Sequence, residues 1–309
     1  MNPYSDLSKQ LTSSIPTQEK KAQGIYFTPP NDVQKIIVSL GDYLPAIKTV
    51  LEPSCGSGEF LKALQPHKNY DITGIELNPT IYQAIRGTFQ NMTILNSDYL
   101  TYNPERTYDL IVGNPPYFVM KKQEVNERFH DYFDGRPNIF ILFIIHSLSM
   151  LSKNGILCFV LPKCFLSSYY YDKTRRYINR DFTILNIQEC CEKYIETQQE
   201  TVVLTVRNSK NDNNMFTFEK GKYLIFGTKD NITEIERLYD NSVSLSELGF
   251  RASVGNVVWN QCKDILTDDQ SRTRLIYGTD IVDGKLTQKH YKNPEKKNQF
   301  DFALWVNNP

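Results

Sequence analysis

Strand-length apolar runs alternate with helix-patterned stretches from about residue 48 to 207, and no other feature of the chain limits its fold as much. "IKTVLEP" reads as a strand, "SGEFLKAL" opens a helix, and "YDITGIEL" is a second strand. "PTIYQAIRGTF" is helical, with Pro79 suited to its first turn. "MTILNSDYL" and "YDLIVGNPPY" are the third and fourth strands, and "NIFILFIIHSLSMLS" is a buried helix. "GILCFVLP", "TILNIQEC" and "TVVLTVR" complete the set of strands. This β-α-β-α order predicts an α/β fold, a doubly wound and mostly parallel sheet with helices on both faces. Residues 1–23 are polar and are expected to be loosely held. After residue 243 the texture changes, so 1–243 is expected to form one domain and 244–309 the start of a separate module.

In an open parallel sheet, ligands bind beyond the carboxyl ends of the strands. The first strand runs into "LEPSCGSGEF", where Gly56 and Gly58 allow backbone to approach a ligand. A G-x-G without a third glycine is a weak signal, and a plain tight turn explains it nearly as well. The second strand ends at Glu76, 24 residues after Glu52, close to the spacing of about 20 expected for an acid that accepts from ribose hydroxyls. A solvated strand-end acid is the alternative. The third strand ends at Asp98 and the fourth at Asn114-Pro115-Pro116-Tyr117. Each is ordinary alone; four in succession are hard to produce by accident.

The chain has no P-loop and no G-x-S-x-G elbow. Nothing marks a phosphate site, so the acids suit a nucleoside cofactor without a pyrophosphate, and S-adenosyl-L-methionine fits. The four histidines lie far apart, and no metal site is expected. The six cysteines form no C-x-x-C pair and read as buried, reduced thiols. Lys plus Arg equals Asp plus Glu at 35 each, which argues against coating nucleic acid by bulk charge but not against a local basic face. The longest apolar run, residues 139–148, is half the roughly 20 residues that a membrane span needs. With a polar N-terminus, this predicts a soluble intracellular protein without a membrane partner.

The amide–aromatic loop has a chemical reading. Two prolines end the strand's hydrogen-bond ladder and stiffen the loop beyond it. An exocyclic amino group on a base is a poor nucleophile, because its lone pair is delocalised into the ring. The Asn114 side-chain oxygen and the Pro115 carbonyl can accept from that group and aim its lone pair at a methyl donor. Fixed oxygen dipoles then stabilise the positive charge that grows on nitrogen. Tyr117 can stack on the extruded base, and Pro116 helps keep the loop rigid.

With these motifs in place, residues 22–285 resemble the γ group of adenine-N6 DNA methyltransferases, TaqI-like members of the type II restriction–modification methyltransferases. The resemblance implies a Rossmann-like S-adenosylmethionine-dependent fold. It places Thr28 of "GIYFTPP", Glu52 and the backbone around Ser54 near the methionine end of the cofactor. It assigns Glu76 to the ribose, Asp98 to the adenine amino group, and Tyr99 and Phe143 to the adenine ring. "YIETQQETVVLTV" implies Tyr194 as a second target-base aromatic opposite Tyr117, where the family usually has Phe. Residues 244–309 resemble the opening of a target-recognition domain that is usually much longer, so that domain is either truncated or reduced. The partners implied are double-stranded DNA and a cognate restriction endonuclease, for a monomeric, cytoplasmic protein that is bacterial or virus-encoded.

Rivals share the fold. One methylates a glutamine amide of release factors through the same Asn-Pro-Pro-Tyr loop, and one methylates exocyclic amines of RNA. A third would be a non-catalytic nucleic-acid-binding relative. The upstream "TPP" order argues against the first, and the intact acids against the last. The run "KHYKNPEKKNQ" offers Lys289, Lys292, Lys296 and Lys297 to DNA phosphates, or is a solvated basic tail.

Overall fold

The computed structural model describes residues 4–66, 70–190, 192, 194–197, 199–210, 215–251, 257–287, 289 and 291–303. The chain divides into two compact units, Met1–Asn241 and Ser242–Pro309.

The first unit begins with helices α1 (Asp6–Ser14), α2 (Thr17–Gln23) and α3 (Pro30–Ser39). Then strands and helices alternate: β1 (Thr49–Glu52), α4 (Glu59–Leu64), β2 (Asp71–Glu76), α5 (Pro79–Ile85), β3 (Met92–Asn96) and β4 (Tyr108–Gly113). Helix α6 (Ile139–Ser149), β5 (Leu151–Pro162), α7 (Asp172–Asp181), β6 (Thr183–Glu189) and β7 (Thr201–Arg207) follow. The seven strands form one sheet in the order β3-β2-β1-β4-β5-β7-β6. Only β7 runs against its neighbours. The expected doubly wound, mostly parallel α/β sheet is therefore present.

The side-chain period of two divides each central strand between two cores. Val50, Leu110 and Val112 face the side covered by α3 and α4. Leu51 and Ile111 face the side covered by α6, whose ten residues from Ile139 to Leu148 are all buried. A helix apolar all round is stable only when enclosed in this way.

Residues 4–23 are not loosely held. Asn78, Phe27 and Ile81 anchor them: Tyr4, Leu11 and Ile15 pack with Phe27 and Ile81, and Asn78 donates to Glu19 (2.7 Å) and Gln23 (3.0 Å). The buried Ser8 hydroxyl lies 2.9 Å from both Ser57 Oγ and Glu59 Oε1, and its single proton serves one of them at a time. Much of this fastening is polar, so composition hid it.

The cysteines are not uniformly buried either. Cys55 and Cys158 are, but Cys164 is exposed and Cys190 and Cys262 are partly so; Cys191 lies outside the described residues. Cys164 sits in the 3-10 turn Lys163–Leu166 after β5, where Phe165 and Leu166 take the core positions instead.

The second unit has a small core of Ile265, Leu266 and Phe300, backed by Trp259 and Leu275. Buried Asp280 accepts from the Tyr277 N–H (2.9 Å), from Asn298 Nδ2 (3.2 Å) and from the Tyr291 hydroxyl. Lys296 lies over the rings of Tyr291 and Tyr277, at 4.1 and 4.3 Å, and Lys297 pairs with Asp268 at 2.9 Å. The lysine run is thus no free tail, because two of its four cations are engaged inside the unit. Of the segment "FRASVGNVVWN", residues 252–256 lie outside the described residues.

Candidate active site

Strand β1 pairs with β2 on one side and β4 on the other, so the sheet's switch point lies between β1 and β4. The loops leaving these two strands meet there, and Ser54 Oγ donates to the Asn114 carbonyl at 3.0 Å. Beyond them opens a cleft of about 140 Å³ lined by Ser54, Gly56, Glu76, Asp98, Tyr99, Asn114, Pro116 and Phe143. Eight residues singled out on sequence grounds are brought together in it. Thr28 and Glu52 line a smaller recess that shares Ser54, Gly56 and Asn114 with the cleft. Gly58 is among neither set. Its positive φ of 78° caps α4, and a Cβ there would lie 2.6 Å from the Phe89 ring, so its glycine is needed for packing.

The acids at the strand ends differ in how they are held. Glu76 Oε2 accepts from the Gly56 N–H and Oε1 from the Asn78 N–H, both at 2.8 Å. Burial raises its pKa, and those N–H groups restrain the rise. Glu52 is 1% exposed, and its Oε2 has no hydrogen-bond partner in the described protein. Burial, and then the charge of Glu76, push its pKa well above the usual carboxylate range. Asp98 is exposed and accepts from the Leu100 N–H at 2.9 Å, which caps the short turn Tyr99–Thr101. The buried Tyr99 ring lies 4.8 Å from that of Phe143, and its hydroxyl shares a 2.7 Å bond with Ser147. The cleft lining contains the acids Glu76 and Asp98 but no Lys or Arg.

Asn114 is fixed through both ends of its amide. Nδ2 donates to Thr28 Oγ1 (3.0 Å) and to the Tyr26 carbonyl (3.3 Å). Oδ1 accepts from the Tyr117 hydroxyl at 2.5 Å. The same hydroxyl lies 2.8 Å from the Val160 carbonyl, and its single proton serves one acceptor at a time. Burial, and then Tyr194, hold the Tyr117 phenol well above its usual pKa, so it remains a donor. Its ring sits edge-on to Phe140 at 5.9 Å. Pro115 is buried beneath.

On this side lies a second chamber of about 90 Å³, lined by Tyr26, Tyr117, Tyr194, Thr197, Gln199 and Thr201. Tyr117 and Tyr194 are thus brought together, and Tyr26 joins them. Tyr26 lines the cleft, the recess and the chamber alike. Sequence reasoning missed it, although it sits in the quoted "GIYFTPP", because only Thr28 of that segment carried an expectation. Asn78, Lys20 and Glu196 were missed as well; nothing in the local sequence marks long-range polar partners.

Residues 65–195 match the family model described as Eco57I restriction-modification methylase. The chain is 32% identical over 177 residues to the type II methyltransferase M.CvrRI of Paramecium bursaria Chlorella virus XZ-6E, covering 56% of this chain and 45% of that protein. It is 30% identical over 195 residues to the type II methyltransferase M.AccI of Acinetobacter calcoaceticus, covering 59% and 35%. Residues 65–195 thus resemble the type II restriction–modification methyltransferases. The chain spans less than half the length of either of these relatives. A solved structure from Listeria monocytogenes, assigned to the class I S-adenosylmethionine-dependent methyltransferases, superposes with a TM-score of 0.54 at 17% identity, over 75% of this chain and 74% of that one. That likeness concerns the fold. Among the described residues, no helix is long and apolar enough to cross a membrane, and no cluster of His, Cys, Asp and Glu could hold a metal ion.

Proposed function

We propose that the protein transfers a methyl group from S-adenosyl-L-methionine to the N6 amino group of an adenine extruded from double-stranded DNA. The observation that carries this reading is Asn114, whose fixed amide stands at the sheet's switch point and lines the cleft beside the Tyr117 of the chamber. The cofactor would supply an electrophilic methyl on a sulfonium. The residues present suit it. A buried acid with an unpartnered oxygen, Glu52, matches an ammonium, and the absence of Lys and Arg from the cleft lining matches a ligand without phosphate. Glu76 would hold the ribose hydroxyls, Asp98 the adenine amino group, and Tyr99 and Phe143 the ring.

Asn114 orients the nucleophile. Its carboxamide oxygen has two lone pairs and receives one bond from Tyr117, so a second remains for the target amino group. Together with the Pro115 carbonyl it fixes that group and stabilises the charge developing on nitrogen. The target must leave the duplex stack, at a cost of a few kcal/mol. Three tyrosines around the chamber would offset part of this by stacking. Aromatic walls favour a planar base over a glutamine side chain, which sets this reading above the release-factor one.

In this reading the Ser242–Pro309 unit contributes to target recognition, with Lys289 and Lys292 the cations of its run left for phosphate contacts. A cognate endonuclease, a monomeric state and an intracellular setting complete the proposal. Tritiated methyl transfer to DNA, RNA and a release factor tests it directly. Label on adenine in duplex DNA is expected; label only on RNA or protein overturns the reading.

A further inference from the structure

One wall residue of the chamber carries a polar atom that the reading above does not use. Tyr194 is 7% exposed, and its hydroxyl oxygen is buried without a hydrogen-bond partner in the described protein. The Thr201 hydroxyl stands near enough to oppose the upward push of burial on its pKa, but not in normal hydrogen-bond geometry. Burial, and then Cys190, keep the phenol protonated, so it is a donor. The chamber's other polar side chains are differently placed. The Tyr117 hydroxyl serves Asn114 or Val160, and Gln199 Nε2 donates to the Glu200 carbonyl at 3.3 Å. Of the buried, unpartnered polar side-chain atoms among the described residues, only the Tyr194 hydroxyl belongs to a residue of this chamber. A buried donor left unpaired is unfavourable, so such groups mark places where a partner arrives.

We propose that the Tyr194 hydroxyl is a specificity-determining donor to a ring nitrogen of the extruded base. This rests on the reading of the chamber as the target-base site. When Asn114 and Pro115 hold the amino group of a purine, its ring nitrogens are the remaining acceptors, and Tyr194 supplies a donor to one of them. A site built to hydrogen-bond its substrate rejects analogues lacking the partner, because its own polar group is then stranded. The ring of Tyr194 would stack, while its hydroxyl would discriminate.

The test is an exchange cycle between protein and base, on the full chain. Tyr194→Phe keeps the ring and removes the hydroxyl. Duplexes carry adenine, 1-deaza-, 3-deaza- or 7-deaza-adenine at a target first mapped in methylated DNA. On adenine, Tyr194→Phe is expected to lower kcat/KM roughly tenfold, the scale of one hydrogen bond, with cofactor affinity unchanged. On one of the three deaza bases the two proteins are expected to be equal, since that base lacks the acceptor. Intrinsic differences in base reactivity cancel in the ratio. The same ratio on all four bases, or no loss on adenine, overturns the proposal and leaves the methyltransferase reading intact. A wild-type protein that methylates no adenine in any duplex removes that reading, and this proposal with it.

Discussion

Lys20 and Glu196, 176 residues apart in sequence, meet at 2.6 Å between Nζ and Oε1. The lysine side chain is 5% exposed and its ammonium also donates to the Thr12 carbonyl at 2.6 Å, whereas the glutamate is 32% exposed. Helix α2 therefore fastens the segment two residues beyond Tyr194. The two ends of the pair predict unequal costs. Glu196→Ala strands a buried ammonium on one carbonyl, a loss of roughly 3–5 kcal/mol. Lys20→Met leaves the glutamate with access to water and costs roughly 1–2 kcal/mol. Urea denaturation orders the two variants, and equal or reversed losses would show that burial does not set the balance.

Gly24 links the same helix to the loop that carries Asn114 and Tyr117. It caps α2 at φ 64°, and a Cβ built on it would lie 2.6 Å from the Tyr117 backbone nitrogen. Gly24→Ala is expected to cost roughly 1–3 kcal/mol from backbone strain and that contact, and to slow methyl transfer by displacing Tyr117. Gly87→Ala meets nothing within 4 Å and serves as the control. Its stability should stay within about 0.5 kcal/mol of wild type. Comparable melting curves for the two variants would mean that the loop yields freely.

Glu52 makes stability depend on pH in an unusual direction. Its folded pKa is raised well above the ordinary value by burial and by Glu76. An unfolded glutamate titrates near about 4.3. Between that pH and the folded pKa the native state binds more protons, so stability falls as pH rises through the window, and it is fully present only below about 4.3. Glu76 shifts in the same direction. Glu52→Gln should therefore melt higher than wild type at pH 7 without cofactor, by about 2–4 °C for each kcal/mol of relief, and decline less between pH 5 and about 7. Its affinity for S-adenosylmethionine should drop. A variant that melts lower than wild type at pH 7 would contradict this account of the buried carboxylate.

Much of the fold was legible because strand and helix periods differ. Val50 and Leu51 face opposite cores, and "NIFILFIIHSLSMLS" is apolar on every face. The acids at 52, 76 and 98 stood out because polar residues end apolar strands. Residues 4–23 were misread because Ser8, Lys20 and Asn78 hold them, and these gain their meaning only from partners distant in sequence. Cys164 was misread for a related reason: just beyond the strand, the burial pattern changes with the turn. Tyr26 was overlooked because a motif recognised through one position hides what its neighbours do.

The roles of Asn114 and Tyr117 separate in kinetics. Asn114 is held at Nδ2 by Thr28 and Tyr26, and at Oδ1 by Tyr117. Its amide is thus oriented before any base arrives, which is what transition-state stabilisation requires. Asn114→Ala should lower the single-turnover rate by on the order of 10²–10³, with cofactor affinity largely retained, because in the proposed reading the lost interaction is with the target amino group. Tyr117→Phe keeps the aromatic face and gives up one donor, shared between Oδ1 and the Val160 carbonyl. It should cost about 0.5–1.5 kcal/mol of stability and change the transfer rate little, because Thr28 and Tyr26 still fix the amide. Tyr117→Ala should weaken base extrusion, seen as lower 2-aminopurine fluorescence at the target, by losing stacking of on the order of 1–3 kcal/mol. Single-turnover transfer and calorimetry on the three variants decide the matter: if Asn114→Ala methylates adenine at the wild-type rate, the carboxamide does not orient the nucleophile and the proposed chemistry fails.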